Sequence, residues 1–328
     1  MTAKRWDVLL VSDRVRAGDL DGCFSSHPPI QSRVDLAPGL WVGPVDERLQ
    51  QLVLRACSQE STVGRALYAY VQEDPAGFEW DPTDALSKAV GLSHLIRATE
   101  TAFEFAATVR FEAGVPTQAQ PANRLTPYLK AWCATERHRR WLTTANVNLL
   151  RELIAAHVAI REELRTSKTG RAITVFAQRP YLYDAHVRGL TVACTLESLA
   201  NSGSERSTAQ FVGRVPLLAA ALGIPNVDKA WAEKAYTVRS ALAHGGNVVS
   251  PLKGGLGVEA EFDRLVARME DIVRDALRRA LLDSTWRAIL ENPQREWPIP
   301  ASACTACRGA AEPGAFVAVR CNKCGRAL

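Results

Sequence analysis

Residues 262–280 read Phe-Asp-Arg-Leu-Val-Ala-Arg-Met-Glu-Asp-Ile-Val-Arg-Asp-Ala-Leu-Arg-Arg-Ala, which is the pattern of one long amphipathic helix. Apolar side chains recur every three or four residues and therefore share one face of such a helix. They are Phe262, Leu265, Val266, Met269, Ile272, Val273, Ala276, Leu277 and Ala280. The opposite face is charged and carries Asp263, Arg264, Arg268, Asp271, Arg274, Asp275 and Arg278. Because an apolar face this continuous has to be covered by other helices, the stretch predicts a helical bundle.

Three shorter helices are predicted upstream of it, at residues 181–201, 206–222 and 227–243. Pro216 should kink or split the second of these helices, because proline cannot donate the helical hydrogen bond. The Gly245-Gly246 pair supplies a left-handed stop for the third. Since the connections are short, we expect the four helices to form an antiparallel bundle, and we assign residues 171–292 to this domain.

The first 168 residues form a separate region with a mixed pattern. Two short apolar stretches between Gly, Pro and Asp residues predict strands, at Trp6–Val11 and Leu40–Val42. Helical spacing then predominates, at residues 45–58, 62–73, 83–110, 124–135 and 139–165. Ser167-Lys-Thr-Gly170 gives the best boundary before the bundle, and the β-branched piece Ile173–Phe176 after it fits either a strand or a helix. The predicted fold class is mainly α, with a mostly helical N-terminal region that contains a few strands.

Four of the eight cysteines lie close together as Cys304-Thr-Ala-Cys307 and Cys321-Asn-Lys-Cys324. This is the spacing of a zinc ribbon, in which two Cys-x-x-Cys turns hold one Zn²⁺ ion tetrahedrally. Four thiolates close the coordination shell, so residues 300–328 are predicted to bind one structural zinc per chain. A disulfide-bonded or disordered tail is the alternative. The other four cysteines are isolated and are interpreted as small buried apolar residues: Cys23, Cys57, Cys133 and Cys194.

The composition is that of a globular protein. Of the 328 residues, 47% are hydrophobic, and the formal net charge of +5 permits a nucleic-acid partner without requiring one. No apolar run approaches the roughly 18 residues of a membrane-spanning helix, and no secretory apolar segment follows Met1. Unpaired cysteines beside a zinc-binding pattern favour a reducing compartment. We therefore expect a cytoplasmic protein without a membrane partner.

The end of the third bundle helix reads Tyr236-Thr-Val-Arg239-Ser-Ala-Leu-Ala-His244-Gly-Gly, and an earlier helix contains Leu196-Glu197-Ser198-Leu199. On these two motifs, residues 175–285 resemble the HEPN superfamily of helical-bundle proteins, and within it the ApeA-like group. Many members are ribonucleases marked by an arginine that a histidine follows a few residues later. The matching residues here are Arg239 and His244. Ser240 stands where an asparagine or another strongly polar residue is more common.

The resemblance implies a metal-independent HEPN endoribonuclease in which Arg239 and His244 are catalytic and Glu197, Tyr236 and Ser240 support them. In such families two bundles pair so that their motifs face a shared cleft, which implies a homodimer. The histidine would move a proton between the ribose 2'-hydroxyl and the leaving 5'-oxygen, and the arginine would hold the phosphate as charge builds. The products would be a 2',3'-cyclic phosphate and a 5'-hydroxyl. Families that look like this one act in antiviral (antiphage) defence and in toxin-type systems.

Helix geometry places Arg239 and His244 about 140° apart, because each residue turns an α-helix by about 100°. Their convergence therefore needs either unwinding at the glycines or a second subunit. A structural interpretation of the same residues is also open, in which Arg239 pairs with a neighbouring helix and His244 caps the helix end. Glu197 lies on the buried side of its helix and needs a cationic partner, for which Arg239 is the natural candidate.

A second candidate RNA contact lies in the N-terminal region, where cations surround an aromatic residue: Arg137, Arg139, Arg140 and Trp141. A solvated helix face explains these residues at least as well. We expect residues 1–168 to sense a protein or phage-derived trigger or to restrain the nuclease, the bundle to cut RNA, and the ribbon to contact RNA, a partner or the dimer. The alternative function is a non-catalytic HEPN and zinc-ribbon protein that binds a nucleic acid or a protein partner.

Overall fold

The structure is a computed structural model that describes residues 4–13, 30, 32–57, 67–73, 85–96, 101–121, 144–178, 182, 184–201, 207–246, 248, 250–252 and 257–291. The chain divides into two compact units, residues 1–159 and 160–328. The boundary that we expected at Ser167-Lys-Thr-Gly170 falls inside the second unit, at the junction of two helices. The predicted mainly helical class is confirmed for the described residues, although an antiparallel sheet accompanies the helices.

The first unit is built on a six-stranded sheet in which neighbouring strands are antiparallel. Its strands are β1 (Lys4–Asp13), β2 (Val34–Ala37), β3 (Leu40–Pro44), β4 (Leu67–Glu73), β5 (Thr101–Glu112) and β6 (Val115–Pro121). The order across the sheet is β2-β3-β4-β1-β5-β6, so β4 and β1 occupy its centre. The tight turn from β5 to β6 uses positive φ at Ala113 and Gly114, as short hairpin turns require.

Helix α1 (Glu47–Ala56) covers one face of this sheet. It begins at Asp46, whose carboxylate accepts a hydrogen bond from the backbone N–H of Leu49 at 2.8 Å. Leu49 and Val53 then pack in one apolar core with side chains of the central strands, among them Val8 and Val71. The burial of this helix face anchors α1 to the sheet.

Two further helices of the first unit are α2 (Ala85–Ser93) and α3 (Thr144–Ala159). The side chain of Tyr70 on β4 lies near Ser93, α2 contacts β4, and Tyr70 alternates with the core residue Val71, so α2 lies over the face opposite α1. Helix α3 packs against α2 and β2. The described part of the sheet is therefore covered by helices on both faces.

One helix prediction for this unit is wrong, and a second is confirmed only in its first part. Where described, residues 62–73 form strand β4, and residues 83–110 form α2 followed by most of β5. The reason is visible in β4, where Tyr70, Val71 and Gln72 are all completely buried, so the alternation by which a strand is recognised is missing. The strands predicted at Trp6–Val11 and Leu40–Val42 are confirmed within β1 and β3. The helix predicted at 124–135 lies outside the described residues.

The second unit is helical throughout its described part. Its helices are α4 (Arg161–Thr166), α5 (Lys168–Gln178), α6 (Ala185–Ala200), α7 (Ser207–Ala221), α8 (Lys229–Ala243), α9 (Val258–Leu282) and α10 (Ser284–Glu291), with a short 3-10 turn at Ser250–Leu252. The β-branched piece Ile173–Phe176 is helical, and α7 runs through Pro216 without being split. Among the described helices, none combines the length and apolar character needed to cross a membrane.

Helix α9 has the apolar face that its sequence predicts, and every residue of that face is buried. Helix α6 packs against it, and Gly189 makes the contact close, since an added Cβ would lie 2.7 Å from Cζ of Phe262. Gly189 and Phe262 both belong to the N-terminal parts of their helices, whereas alternating antiparallel helices would bring opposite ends together. The packing of α6 on α9 thus differs in this respect from the expected antiparallel bundle.

The ends of α5, α6 and α10 are joined by hydrogen bonds. The carboxylate of Glu291 accepts from the backbone N–H of Lys168 at 2.8 Å and from that of Thr169 at 2.6 Å, so the last described turn of α10 caps the start of α5. The ammonium group of Lys168 donates to the carbonyl oxygens of Leu199 at 3.3 Å and Asn201 at 3.1 Å, at the end of α6. Burial lowers the pKa of Lys168 to about 8, although the charge of Glu291 opposes this shift.

Candidate functional site

Arg239 on α8 and Glu197 on α6 form an ion pair. The Nη2 atom of Arg239 lies 2.7 Å from Oε2 of Glu197. The two side chains are 22% and 14% exposed, so water screens their interaction only in part. The pairing expected from the sequence is therefore present in the structure.

The local packing of both helices explains why these two side chains meet. Helix α6 begins at Asp184, whose carboxylate accepts from the N–H groups at the helix start, and it buries Leu196 and Ala200. This rotation leaves Glu197 at the edge of the buried face. Helix α8 begins in the same way at Asp228 and buries Val238, beside which Arg239 is half-buried. A charged residue at the margin of each apolar face thus meets its counterpart across the contact.

Tyr236 supports Arg239 from the preceding turn of α8. The Cζ atom of Arg239 lies 5.9 Å from the centroid of the Tyr236 ring, within the range of a cation–π contact. The Tyr236 hydroxyl is 3.0 Å from the hydroxyl of Ser207, at the start of α7. The ring also packs against Phe211, with 5.4 Å between the centroids. Tyr236 is thereby fixed by α7 and in turn restricts the position of the guanidinium.

Cys194 belongs to the same group of side chains, which the sequence interpretation missed. It is half-buried on α6, and its thiol is hydrogen-bonded to Arg239. Burial raises the pKa of the Cys194 thiol, and the positive charge of Arg239 opposes this shift only in part, so the thiol is expected to remain protonated at neutral pH. The signal that could have found it is its spacing of three residues from Glu197, which places both on one side of the helix.

One donor of Arg239 stays unused. Its Nε atom is buried, and within the described part of the chain no acceptor lies in hydrogen-bond range. A buried donor without a partner costs about 1–3 kcal/mol. Arg239 is therefore oriented by Glu197 and Tyr236 without all of its donors being satisfied by them.

Helix α8 ends in the left-handed turn that its glycines predict. Gly245 has a φ of 67°, and the backbone N–H of Gly246 donates to the carbonyl of Ala241 at 2.7 Å. This hydrogen bond closes the end of the helix in a Schellman motif. Because the turn comes after His244, the helix stays wound through Ala243.

His244 is the C-cap residue of α8 and its side chain is exposed. Its backbone N–H donates to the carbonyl of Ser240 at 3.1 Å, and the Ser240 side chain is half-buried. The hydrogen bonds and ion pairs of Arg239 within the described residues do not include His244. Of the two routes to convergence, unwinding at the glycines therefore does not occur within this chain.

The chemistry available at this end of α8 is that of an exposed imidazole and a fixed guanidinium. An imidazole can act as a general acid or a general base. A guanidinium stays charged and can stabilise an oxyanion or a phosphate. Both groups are suited to reactions at phosphate esters if one substrate can reach them together.

The other predicted site residues lie outside the described part of the chain. These are Arg137, Arg139, Arg140 and Trp141 of the candidate RNA contact, and Cys304, Cys307, Cys321 and Cys324 of the predicted zinc ribbon. Among the described residues, no group of three or more His, Cys, Asp or Glu side chains is arranged to hold a metal ion. Comparison of the chain with protein-family models, with curated proteins and with solved structures finds no match.

Proposed function

We propose that the second unit is a metal-independent endoribonuclease of the HEPN type, which cleaves RNA by attack of the ribose 2'-hydroxyl. The observation that carries the proposal is the 2.7 Å ion pair of Arg239 with Glu197 beside the Tyr236 ring. This arrangement fixes a guanidinium near the end of the helix that presents His244 to solvent. Glu197 and Tyr236 of the two motifs thus contact Arg239, and the backbone N–H of His244 donates to the carbonyl of Ser240.

In the proposed reaction, His244 takes the proton of the 2'-hydroxyl, and the 2'-oxygen attacks the neighbouring phosphorus. The bond from phosphorus to the 5'-oxygen breaks, and the leaving oxygen receives a proton from an imidazolium. Arg239 stabilises the negative charge that grows on the phosphate oxygens. The products are a 2',3'-cyclic phosphate and a 5'-hydroxyl, and DNA is spared because it lacks the nucleophile.

A homodimer is part of the proposal, because α8 directs Arg239 and His244 to different sides of one helix. A shared cleft, to which each chain contributes its helix end, would bring both groups to one phosphate. We also propose a cytoplasmic location and a role in antiphage defence or a toxin-type system, in which the first unit responds to a protein or phage-derived trigger. The zinc ribbon would contact RNA, a partner or the dimer.

A second candidate function is favoured by the same contacts. Arg239 already bonds to Glu197 and Cys194 within its own chain, as a structural ion pair would. In this alternative the bundle is an inactive HEPN dimer, and together with the zinc ribbon it binds a nucleic acid or a protein partner without cutting it.

The test is RNA cleavage by the Arg239→Ala and His244→Ala variants, with Arg264→Ala as a control for loss of an exposed cation on the same unit. General acid–base catalysis and a phosphate-stabilising donor each contribute about a hundredfold or more, so both site variants should fall at least about a hundredfold below wild type. The control should retain the wild-type rate. A labelled RNA and its 2'-deoxy counterpart are incubated with each variant, and the product ends and melting curves are recorded.

Three outcomes would contradict the proposed mechanism: cleavage of the deoxy substrate, a requirement for added magnesium, or wild-type cleavage by His244→Ala. RNA that stays intact with the wild-type protein and its trigger would favour the binding function instead. Unfolding of both site variants would support the structural interpretation of these residues.

A further inference from the structure

A row of polar side chains crosses the sheet of the first unit. The strand register pairs Gln72 of β4 with Asp7 of β1, Asp7 with Thr108 of β5, and Thr108 with Gln120 of β6. Residues paired in this way project from the same face of an antiparallel sheet. The row therefore places four hydrogen-bonding side chains next to one another across four strands.

Gln72 is the unusual member of this row. It is 0% exposed, and neither Oε1 nor Nε2 of its amide has a hydrogen-bond partner within the described part of the chain. Burying an amide without partners costs about 1–3 kcal/mol for each unpaired group, whereas a leucine of similar size would carry no such cost. An amide that is buried and unused at the centre of a sheet points to a ligand that uses it.

The row leads from the covered interior of the sheet to solvent. On one side of Gln72 lies Leu40, which is 0% exposed. On the other side the Asp7 side chain is 20% exposed, Thr108 is half-buried and Gln120 is exposed. The Thr108 hydroxyl donates to Oδ1 of Asp7 at 2.7 Å, which fixes the carboxylate beside the amide. A small molecule on the open half of this face therefore meets Asp7 first, and it contacts the enclosed amide of Gln72 once the Asp7 side chain moves aside.

Two arginines lie on the same face of the sheet, two residues along their strands from the polar row. Arg5 of β1 is in register with Arg110 of β5, and each is two residues from a member of the polar row, a distance of about 7 Å along a strand. Their side chains are 65% and 55% exposed. The Nε atom of Arg5 lies 3.9 Å from Oδ1 of Asp7, and the Nε atom of Arg110 lies 3.2 Å from Oε1 of Glu112. Exposed ion pairs of this kind are weak, so both guanidinium groups can turn to a stronger anion.

We propose that this face of the first unit binds a free nucleotide, with the base against Gln72 and Asp7 and the phosphate toward Arg5 and Arg110. A primary amide presents an acceptor beside a donor in one plane, and the edge of a nucleobase carries the complementary pair. The Asp7 carboxylate accepts a further base N–H and repels an anion, which fixes the orientation of the nucleotide. The site is separate from Arg239 and His244 and does not depend on the ribonuclease activity.

The experiment is calorimetric titration of the full-length protein with AMP, GMP, CMP and UMP, and with ribose 5-phosphate. At least one nucleotide should bind saturably, and ribose 5-phosphate should bind at least tenfold more weakly because it lacks the base. Gln72→Leu should weaken nucleotide binding at least tenfold. The same variant should melt at or above the wild-type temperature, because it removes a buried unpaired amide, so the loss of binding will not reflect unfolding.

A matched pair of cation variants tests the phosphate end. Arg110→Ala should weaken nucleotide binding severalfold. Arg55→Ala removes an exposed arginine from α1 on the opposite face and should bind the nucleotide like wild type. The proposal is overturned if none of the four nucleotides binds, if ribose 5-phosphate binds as tightly as the best of them, or if Gln72→Leu binds like wild type. Should Gln72→Leu fail to fold, equal nucleotide affinity of Arg110→Ala and Arg55→Ala overturns it. Because binding is the readout, failure here is distinguishable from failure of the ribonuclease proposal.

Discussion

Glu197 holds Arg239 through charge as well as through a hydrogen bond, and Glu197→Gln separates these two contributions. The amide can still accept one hydrogen bond, but it leaves the half-buried guanidinium without a counter-charge, which costs about 1–3 kcal/mol of stability. If Arg239 stabilises the phosphate, we expect kcat for RNA cleavage to fall about tenfold or more, since a positioned donor contributes about a hundredfold. Cleavage kinetics and thermal melting are measured together.

The control for this variant is Glu233→Gln, which removes an exposed carboxylate that lies 3.9 Å from Lys229 on the same helix as Arg239. It should leave both cleavage and melting near wild type, because exposed pairs contribute little. A Glu197→Gln protein that melts lower but cleaves at the wild-type rate would show that the pair is structural only.

Part of the candidate site could be predicted from single residues. A carboxylate at the margin of the buried face of α6 requires a cation, and Arg239 was the nearest suitable residue in the bundle, so their contact followed from burial. Cys194 was missed because a thiol is also an ordinary core residue and its spacing alone does not reveal a neighbour on another helix. Gln72 was missed for a related reason, since the burial of β4 on both faces depends on α1 and α2 folding back over the sheet, which the spacing of apolar residues does not encode.

At the scale of elements, the contact of α6 with α9 gives a test of the packing. In Gly189→Ala the new methyl group would lie 2.7 Å from Cζ of Phe262 and 3.2 Å from Cγ2 of Val266, so these side chains or the two helices must shift. Overpacking of this kind costs about 1–3 kcal/mol. The matched variant Gly213→Ala, in the exposed middle of α7, meets nothing within 4 Å and should stabilise the protein by up to about 1 kcal/mol.

Chemical denaturation of the two alanine variants checks this expectation. Equal stability changes in both would mean that α6 does not approach α9 at Gly189. Opposite signs are expected, because the two substitutions share their helix propensity and differ only in what the new methyl group touches.

The elements themselves were predictable to very different degrees. Helices α6 to α9 have one apolar face each, so their three-and-four spacing identifies them in the sequence. Strands β4 and β5 were mistaken for helices, because consecutive buried residues such as Tyr70 and Val71 leave no alternation, and alanines such as Ala69 and Ala107 suit a helix equally well. The order β4-β1-β5 depends on pairings between residues far apart in sequence, which periodicity does not encode.

At the scale of the whole molecule, the cysteine pattern predicts about one zinc ion per chain. Cys321→Ser should lose this metal, because a ribbon with three thiolates no longer completes a tetrahedral site. The helices of the second unit should remain folded, since their apolar core is formed by residues 160–291. Elemental analysis and circular dichroism are the measurements. Purified native protein without zinc, or wild-type zinc content in the variant, would contradict the prediction.

The proposed shared cleft predicts that the protein is a dimer. Light scattering should give twice the mass of the chain, and dimers that combine one wild-type and one Arg239→Ala subunit should cleave RNA more slowly than wild type. The reason is that each cleft would need the helix ends of both chains. A strictly monomeric protein with full cleavage activity would rule out the shared cleft and leave the chemistry to a single chain.

The capping of α5 by Glu291 sets a limit on how far the predicted zinc ribbon can travel. Glu291 is bonded to the backbone of Lys168 and Thr169, so the segment that follows departs from a fixed point on the second unit. Only residues 292–303 separate this point from Cys304, and a fully extended chain of that length spans about 45 Å. The predicted ribbon is therefore tethered by this segment to the helical unit that contains Glu197 and Arg239. Its effective concentration near them is set by the tether, so weak contacts of the ribbon with an RNA already held there would suffice to keep that RNA in place.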